Sequence, residues 1–135
     1  MIYLRNSIDL VMEGPIIPVT LAPPAPTALP LEVLAIIETT YPFTFIQEGV
    51  ATELGLTPHR WSYVTTPTKY FGRTDVYYLN IQFPSGHSWQ LEVFEVPYMA
   101  HTASRVKCII GRNLLANCVF KYDGPRNAFS LEFKE

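Results

Sequence analysis

Charge is scarce in this chain, and so are cysteines, clustered glycines and long apolar runs. Only 16% of its 135 residues are charged, and ten basic against twelve acidic side chains leave a formal net charge of −2. No basic field exists to attract phosphate, which argues against nucleic acid as a partner. So neutral a surface also tolerates self-association. No apolar run reaches the length of a membrane span, and the opening Met1-Ile2-Tyr3-Leu4-Arg5 does not have a signal-peptide pattern. The expectation is a soluble cytoplasmic protein with no membrane partner. The two cysteines are Cys108 and Cys118. A disulfide needs Cα atoms within about 7 Å, which a strand leading into a helix does not offer, so both are expected buried and reduced. His59, His87 and His101 are scattered without a cysteine or carboxylate at ligand spacing, and neither metal nor cofactor is expected. The glycines are isolated. No Gly-x-Gly-x-x-Gly, phosphate loop or Gly-x-Ser-x-Gly occurs.

What is present is apolar and written mostly in strands. Apolar residues make up 48% of the chain, enough for one domain over residues 1–135 to bury a core without staples. Residues 2–12 alternate loosely (Ile2, Leu4, Ile8, Leu10, Met12) and suggest one or two short strands before the Gly14-Pro15 turn. Ile16–Leu21 reads as a strand that Pro18 confines to an edge or a bulge. Ala22-Pro23-Pro24-Ala25-Pro26-Thr27 is a stiff surface turn, with a ligand for a proline-recognising partner as the other reading. The continuous apolar run Val33–Ile37 marks a strand buried on both faces. It delivers the chain to Glu38-Thr39-Thr40-Tyr41-Pro42-Phe43-Thr44-Phe45-Ile46. Gln47–Leu54, closed by Gly55, suggests a short helix with a glycine C-cap. Thr74–Phe83 and Ser88–Val96 alternate, and Pro84-Ser85-Gly86-His87 joins them as a hairpin. Tyr77, Tyr78, Trp89 and Phe94 on these strands read as sheet packing rather than a ligand box. Tyr98–Arg105 returns the chain to Val106–Ile110.

The stretch that organises the rest is Lys107-Cys108-Ile109-Ile110-Gly111-Arg112-Asn113-Leu114-Leu115-Ala116-Asn117-Cys118. It predicts a buried strand, a tight turn and about two helical turns near 112–117. Gly111 admits backbone where a side chain would not fit, and Arg112 offers a rigid guanidinium fork. Val119–Tyr122, a turn at Asp123-Gly124-Pro125 and Ala128–Phe133 complete a terminal strand–turn–strand.

This ending resembles the C-terminal half of the retropepsin-like aspartic proteases. In that family Ile-Ile-Gly-Arg-(Asp/Asn)-Leu-Leu leads a short helix beneath the active-site loop, and Phe129-Ser130-Leu131-Glu132-Phe133 is similar to the terminal strand. Upstream the resemblance continues. A buried strand leads into the loop, Phe43-Thr44-Phe45-Ile46 supplies a hydroxyl and an apolar pair, and Leu54-Gly55-Leu56 stands as in the family. The resemblance covers roughly residues 14–133. It implies an all-β fold, a small closed barrel with one or two short helices, and a homodimer built through the terminal strands. The loop between departs from Asp-Thr-Gly. Glu38 takes the aspartate position, Thr39 matches, Thr40 takes the glycine position, and Tyr41-Pro42 replace small residues. By the same resemblance Gly111, Arg112 and Asn113 support the loop, with Arg112 orienting it near Thr39. The acidic partner usual after the motif is replaced by Pro42 and Phe43. The region around Thr66, Pro67, Thr68 and Tyr70 falls where the family has its peptide-covering flap, though a plain loop between strands fits those residues equally.

Aspartic proteolysis needs two carboxylates a few ångströms apart that share one proton, and in this family each chain of a symmetric dimer donates one. A glutamate is one methylene longer, and misplacement of about 1 Å costs roughly 100-fold in rate. Thr40, being β-branched, resists the positive φ a glycine tolerates. Glu38 read without the resemblance is a strand-end carboxylate accepting backbone N–H bonds. With it, Glu38 is a relic of a catalytic carboxylate. Three functions follow. The first is a non-catalytic dimeric domain that binds an extended polypeptide or a partner protein, or serves as a scaffold. The second is an active aspartic-type endopeptidase using Glu38, or an aspartate from a partner chain. The third is a β-barrel interaction domain whose cleft is plugged by Tyr41 and Pro42.

Overall fold

Alternation decides which face each strand buries, and here two faces are apolar. The computed structural model describes residues 2–6, 10–25, 28–65, 71–97 and 105–134. Along the chain these form β1 (Ile2–Asn6), α1 (Leu10–Glu13), β2 (Ile16–Ala22), β3 (Leu31–Ile37), β4 (Thr44–Gln47), α2 (Val50–Glu53), β5 (Arg60–Thr65), β6 (Phe71–Gln82), β7 (Ser88–Val96), β8 (Val106–Ile110), α3 (Arg112–Leu115), β9 (Cys118–Asp123) and β10 (Ala128–Phe133). Ile17, Val19 and Leu21 of β2, Val33, Ala35 and Ile37 of β3, and Cys108 and Ile110 of β8 enter the main core. The residues between them turn the other way. Ile16, Ile36, Phe45, Val76, Phe94 and Ile109 form a second, smaller apolar cluster with Val64, Val96 and Val106. Such strands, apolar on both faces, are the near-continuous runs visible at 33–37 and 106–110.

The strands run β2-β3-β8-β4-β7-β6-β5 in one sheet, and β6 also pairs back to β2 through Thr20–Ala22. Six strands therefore close into a small barrel, which leaves β5 outside the closure. Pro18 sits on the part of β2 that pairs with β3 alone, where a missing N–H costs no ladder bond on the far side. A second sheet, β1-β10-β9, is antiparallel throughout. Phe129, Leu131 and Phe133 of β10 pack into the main core. No helix among the described residues is long and apolar enough to cross a membrane.

Two sequence expectations need correction. One of the short strands expected in residues 2–12 is present as β1, but the described residues 10–13 form a helical turn rather than a second strand, because the side-chain amide oxygen of Asn127 accepts from Leu10 N–H (2.7 Å) and Gly14 N–H closes back on Leu10 C=O (3.0 Å). Leu10 is buried while Val11 and Met12 are exposed, which is not a strand's alternation. The helix expected over 47–54 is shorter. β4 extends through Gln47, Glu48 N–H bonds Val96 C=O, and Gly49 at φ 100° turns the chain before α2 begins. Its predicted glycine end is present. Gly55 at φ 66° donates to Thr52 C=O, and Leu56 N–H reaches Ala51 C=O.

Candidate functional site

β8 lies between β3 and β4, parallel to the first and antiparallel to the second. Since β3 and β4 are consecutive in sequence, the loop 38–43 that joins them must cross over the C-terminal end of β8. That end is Gly111. A Cβ built there would stand 1.8 Å from the Phe43 carbonyl oxygen and 3.0 Å from that of Tyr41. Gly111 has an extended backbone, φ −99° and ψ −173°, so room rather than conformation demands glycine.

The loop is then tied down from beneath. Glu38 N–H donates to Ile110 C=O at 2.9 Å, extending the β3–β8 pairing by one bond. The first N–H groups of α3, which have no intrahelical partner, find loop carbonyls: Arg112 N–H donates to Tyr41 (2.8 Å) and Asn113 N–H to Pro42 (3.1 Å). The Arg112 guanidinium reaches the Thr39 carbonyl at 3.1 Å. Thr44 is wholly buried, and its hydroxyl accepts from Gly111 N–H (3.1 Å) while donating to Asn113 Oδ1 (2.7 Å). Asn113 in turn donates to Glu92 C=O (3.1 Å), and its Oδ1 also accepts from Leu114 N–H. Gly111, Arg112 and Asn113 thus all meet the loop. Thr44 is the hydroxyl that the sequence places after the loop, whereas nothing in the sequence marks Glu92. The signal for Thr44 is an isolated hydroxyl between Phe43 and Phe45 at the head of a buried strand.

On top of this frame stand Glu38, half-buried, and Thr39 and Thr40, both exposed. The Thr40 hydroxyl donates to Glu38 Oε2 over a long 3.4 Å. One chain brings one carboxylate to the loop, so paired-carboxylate chemistry would need a second from elsewhere. Pro42 is exposed, whereas Tyr41 and Phe43 fold onto the second apolar cluster. Phe43 lies 4.3 Å from Phe94, and Tyr41 meets Phe45 edge-on at 5.9 Å. Val64 of the β5–β6 hairpin joins the same cluster. Hairpin and loop therefore share one apolar floor. Thr66, Pro67, Thr68 and Tyr70 lie outside the described residues.

The base of the hairpin is held on β7. Glu92 accepts from the Arg60 guanidinium at 2.8 Å and lies 2.9 Å from His59 Nε2, while Arg60 also sits over the Phe94 ring. The hydrogen bond from Arg60 holds the Glu92 carboxyl below the usual range, ahead of a partial burial that opposes it. His59 stacks on Tyr78 at 4.0 Å, and Tyr77 and Phe94 are buried sheet packing. Both cysteines are free, and burial lifts the Cys108 thiol to about 12 and that of Cys118 to about 11. Neither is a nucleophile at neutral pH. Among the described residues no group of His, Cys, Asp and Glu is arranged to hold a metal ion.

No protein-family model and no curated protein matches the sequence. Solved structures match its fold. The foamy viral protease–reverse transcriptase, in complex with an RNA/DNA hybrid, aligns with 76% of this chain at 20% identity and a TM-score of 0.52. The aligned part is 11% of that viral chain. A retropepsin-like aspartic protease from Rickettsia conorii aligns with 97% of this chain and 91% of its own length, at 10% identity and a TM-score of 0.53. The fold is the retropepsin-like one, a closed β-barrel with short helices.

Proposed function

We propose that this chain is a non-catalytic member of the retropepsin-like group that binds an extended polypeptide between loop 38–43 and the β5–β6 hairpin. The observation that carries the reading is a mismatch within one loop. The supports beneath it are in place, from Gly111 under Phe43 to the Arg112–Thr39 bond, yet the residues presented on them are Glu38, Thr39 and Thr40. Glu38 has its backbone N–H fixed on Ile110 and one more methylene than an aspartate, so its carboxylate stands farther from the strand end than Asp would. The floor beside it is aromatic, which suits apolar side chains of a bound strand.

Dimerisation belongs to the proposal. β10 is paired along both edges by β1 and β9 of its own chain, so a second copy would add at the outer edge of β1 or β9. The two free thiols suit a reducing compartment, the cytoplasm. A second reading keeps the endopeptidase. Glu38 is half-buried and among the described residues its carboxylate meets the Thr40 hydroxyl alone, at 3.4 Å, which leaves it acceptor capacity for a water or a partner's carboxyl.

The test is cleavage of a diverse peptide pool between about pH 4 and 7, by the native chain and by Glu38→Gln, with peptide capture measured on the same samples. Capture without cleavage by both proteins is the expected result. Cleavage by the native chain that Glu38→Gln abolishes would establish the enzyme and overturn the non-catalytic reading.

A further inference from the structure

We infer that β5 is a self-association edge, on which two copies of this chain pair antiparallel about a twofold axis at Ser62. Among the described residues β5 pairs with β6 alone, and the barrel closes from β6 to β2 without it. Its other edge therefore presents backbone N–H and C=O groups that no described strand pairs. Natural edges are blunted by lysine, proline or a bulge. Arg60-Trp61-Ser62-Tyr63-Val64-Thr65 has none of these, and its one charge, Arg60, is engaged by Glu92.

The face that goes with this edge is aromatic. Val64 and Val76 point into the second apolar cluster, so Trp61 and Tyr63 on β5 and Phe71 and Arg73 on β6 share the opposite face. There Trp61 is 49%, Tyr63 60% and Phe71 68% exposed. Trp61 meets Tyr63 edge-on at 5.4 Å, Tyr63 stacks with Phe71 at 6.1 Å, and the Arg73 guanidinium lies 4.6 Å over Trp61. The rings form one contiguous patch rather than scattered exposures. Aromatic side chains bury about 150–250 Å² each, so three rings roughly half exposed offer on the order of 300–400 Å². A standard interface takes about 800 Å² from each partner. The rings alone supply close to half of that, and a six-residue strand pairing supplies its hydrogen bonds and much of the remainder.

A second copy is the occupant this edge fits because the strand is complementary to itself. With the axis at Ser62, each Trp61 faces Tyr63 of the partner subunit on the aromatic side, twice over. Aromatic pairs directly opposite each other are among the favourable cross-strand contacts. Phe71 of each chain extends the ladder, giving one row of six rings across the junction. The charges at its flank, Arg73 and Asp75, are of both signs, so two copies meet without a like-charged field. The interface is separate from the terminal sheet and does not depend on the function proposed for Glu38.

Directly opposed antiparallel residues have Cα atoms about 4.5–5.5 Å apart, inside the range a disulfide spans. The native chain, Ser62→Cys and Arg126→Cys are therefore oxidised mildly at equal concentration and run without reductant. The exposed turn at Arg126 serves as the collision control. A covalent dimer forming at least about 10-fold faster at Ser62 than at Arg126 is expected. Equal rates, or no dimer at Ser62, overturn the assignment, and a dimer held by the terminal strands alone gives that negative result. In parallel, Tyr63→Lys is predicted to raise the monomer–dimer midpoint in sedimentation by about 10-fold or more, as loss of a central aromatic does. An unchanged midpoint in the folded variant refutes the role of this face. Tyr63 is exposed, so its replacement leaves the barrel intact.

Discussion

Replacing Gly111 by alanine adds one methyl group to the chain and should be among its most damaging changes. The new carbon would lie 1.8 Å from Phe43 O and 2.4 Å from the Phe43 carbonyl carbon, both backbone atoms that cannot swing aside. Either the loop lifts or the end of β8 sinks. Overpacking of this kind costs about 1–3 kcal/mol. Lifting the loop also strains the bonds from Arg112 and Asn113 to Tyr41 and Pro42, each worth about 1 kcal/mol net. The sum is roughly 3–5 kcal/mol. For a chain of 135 residues, an unfolding entropy of about 2.1 cal/mol/K per residue makes that a fall in Tm of roughly 10–18 °C. Calorimetry measures the fall, and hydrogen exchange at the Arg112 and Asn113 amides locates it. Gly55→Ala is the control. Its positive φ is strained by a side chain, but nothing lies within 4 Å of the new methyl, so it should cost only about 1 kcal/mol. If Gly111→Ala melts within about 3 °C of the native chain with both amides protected, the crossing does not need the space assigned to it.

Two further outcomes follow from the same geometry. Thr44→Val keeps the shape of a wholly buried side chain but strands the Gly111 N–H and one contact of Asn113; denaturant unfolding should show a loss of about 2–4 kcal/mol, and a loss below about 0.5 would remove Thr44 from the site's support. Glu95 has its pKa raised, first by burial and then by Glu48 and Asp75. The native state therefore holds this proton more tightly than the unfolded chain, and ionised Glu95 lowers stability at neutral pH, a penalty relieved as pH falls through its folded pKa. Glu95→Gln should melt higher than the native chain at pH 7 and converge with it as pH drops below about 4; a variant less stable at pH 7 would show that its carboxylate is favourably held.

Much of this architecture is legible in short stretches where one residue type has one use. Ile109-Ile110-Gly111-Arg112-Asn113 could be read as strand, close approach and helix start because only glycine fits beneath a crossing backbone, and the strand pair around Pro84–His87 alternates cleanly. The helix expected over 47–54 is shorter in the structure because Gln47 and Glu48 suit a helix by propensity, whereas β7 and β8 claim β4 as a strand and Gly49 then turns the chain. The Leu10 turn depends on Asn127, 117 positions away, and no local pattern announces such a partner. The same holds for the site. Gly111 and Arg112 carry their roles in their chemistry, while Thr44 matters only because Gly111 and Asn113 arrive beside it from the far end of the chain. Trp61, Tyr63 and Phe71 carry no sequence signal of an exposed face, because their exposure follows from β5 lying outside the barrel's closure.

The crossing of loop 38–43 over β8 also fixes an order of events during synthesis. β3 and β4 have no ladder with each other; the strand that joins them ends at residue 110, more than sixty positions downstream. Closing so long a loop is slow and is rewarded only when the last strand arrives. A nascent chain that has already made Glu38, Thr39 and Thr40 thus has nothing on which to arrange them until Val106–Ile110 slides between its two neighbours and Gly111 seats the crossing. At ribosomal rates of about 5–20 residues per second, that interval lasts several seconds. Throughout it β3 and β4 each lack the strand that pairs their facing edges, which makes this window, rather than the finished barrel, the period in which the chain is most open to mispairing.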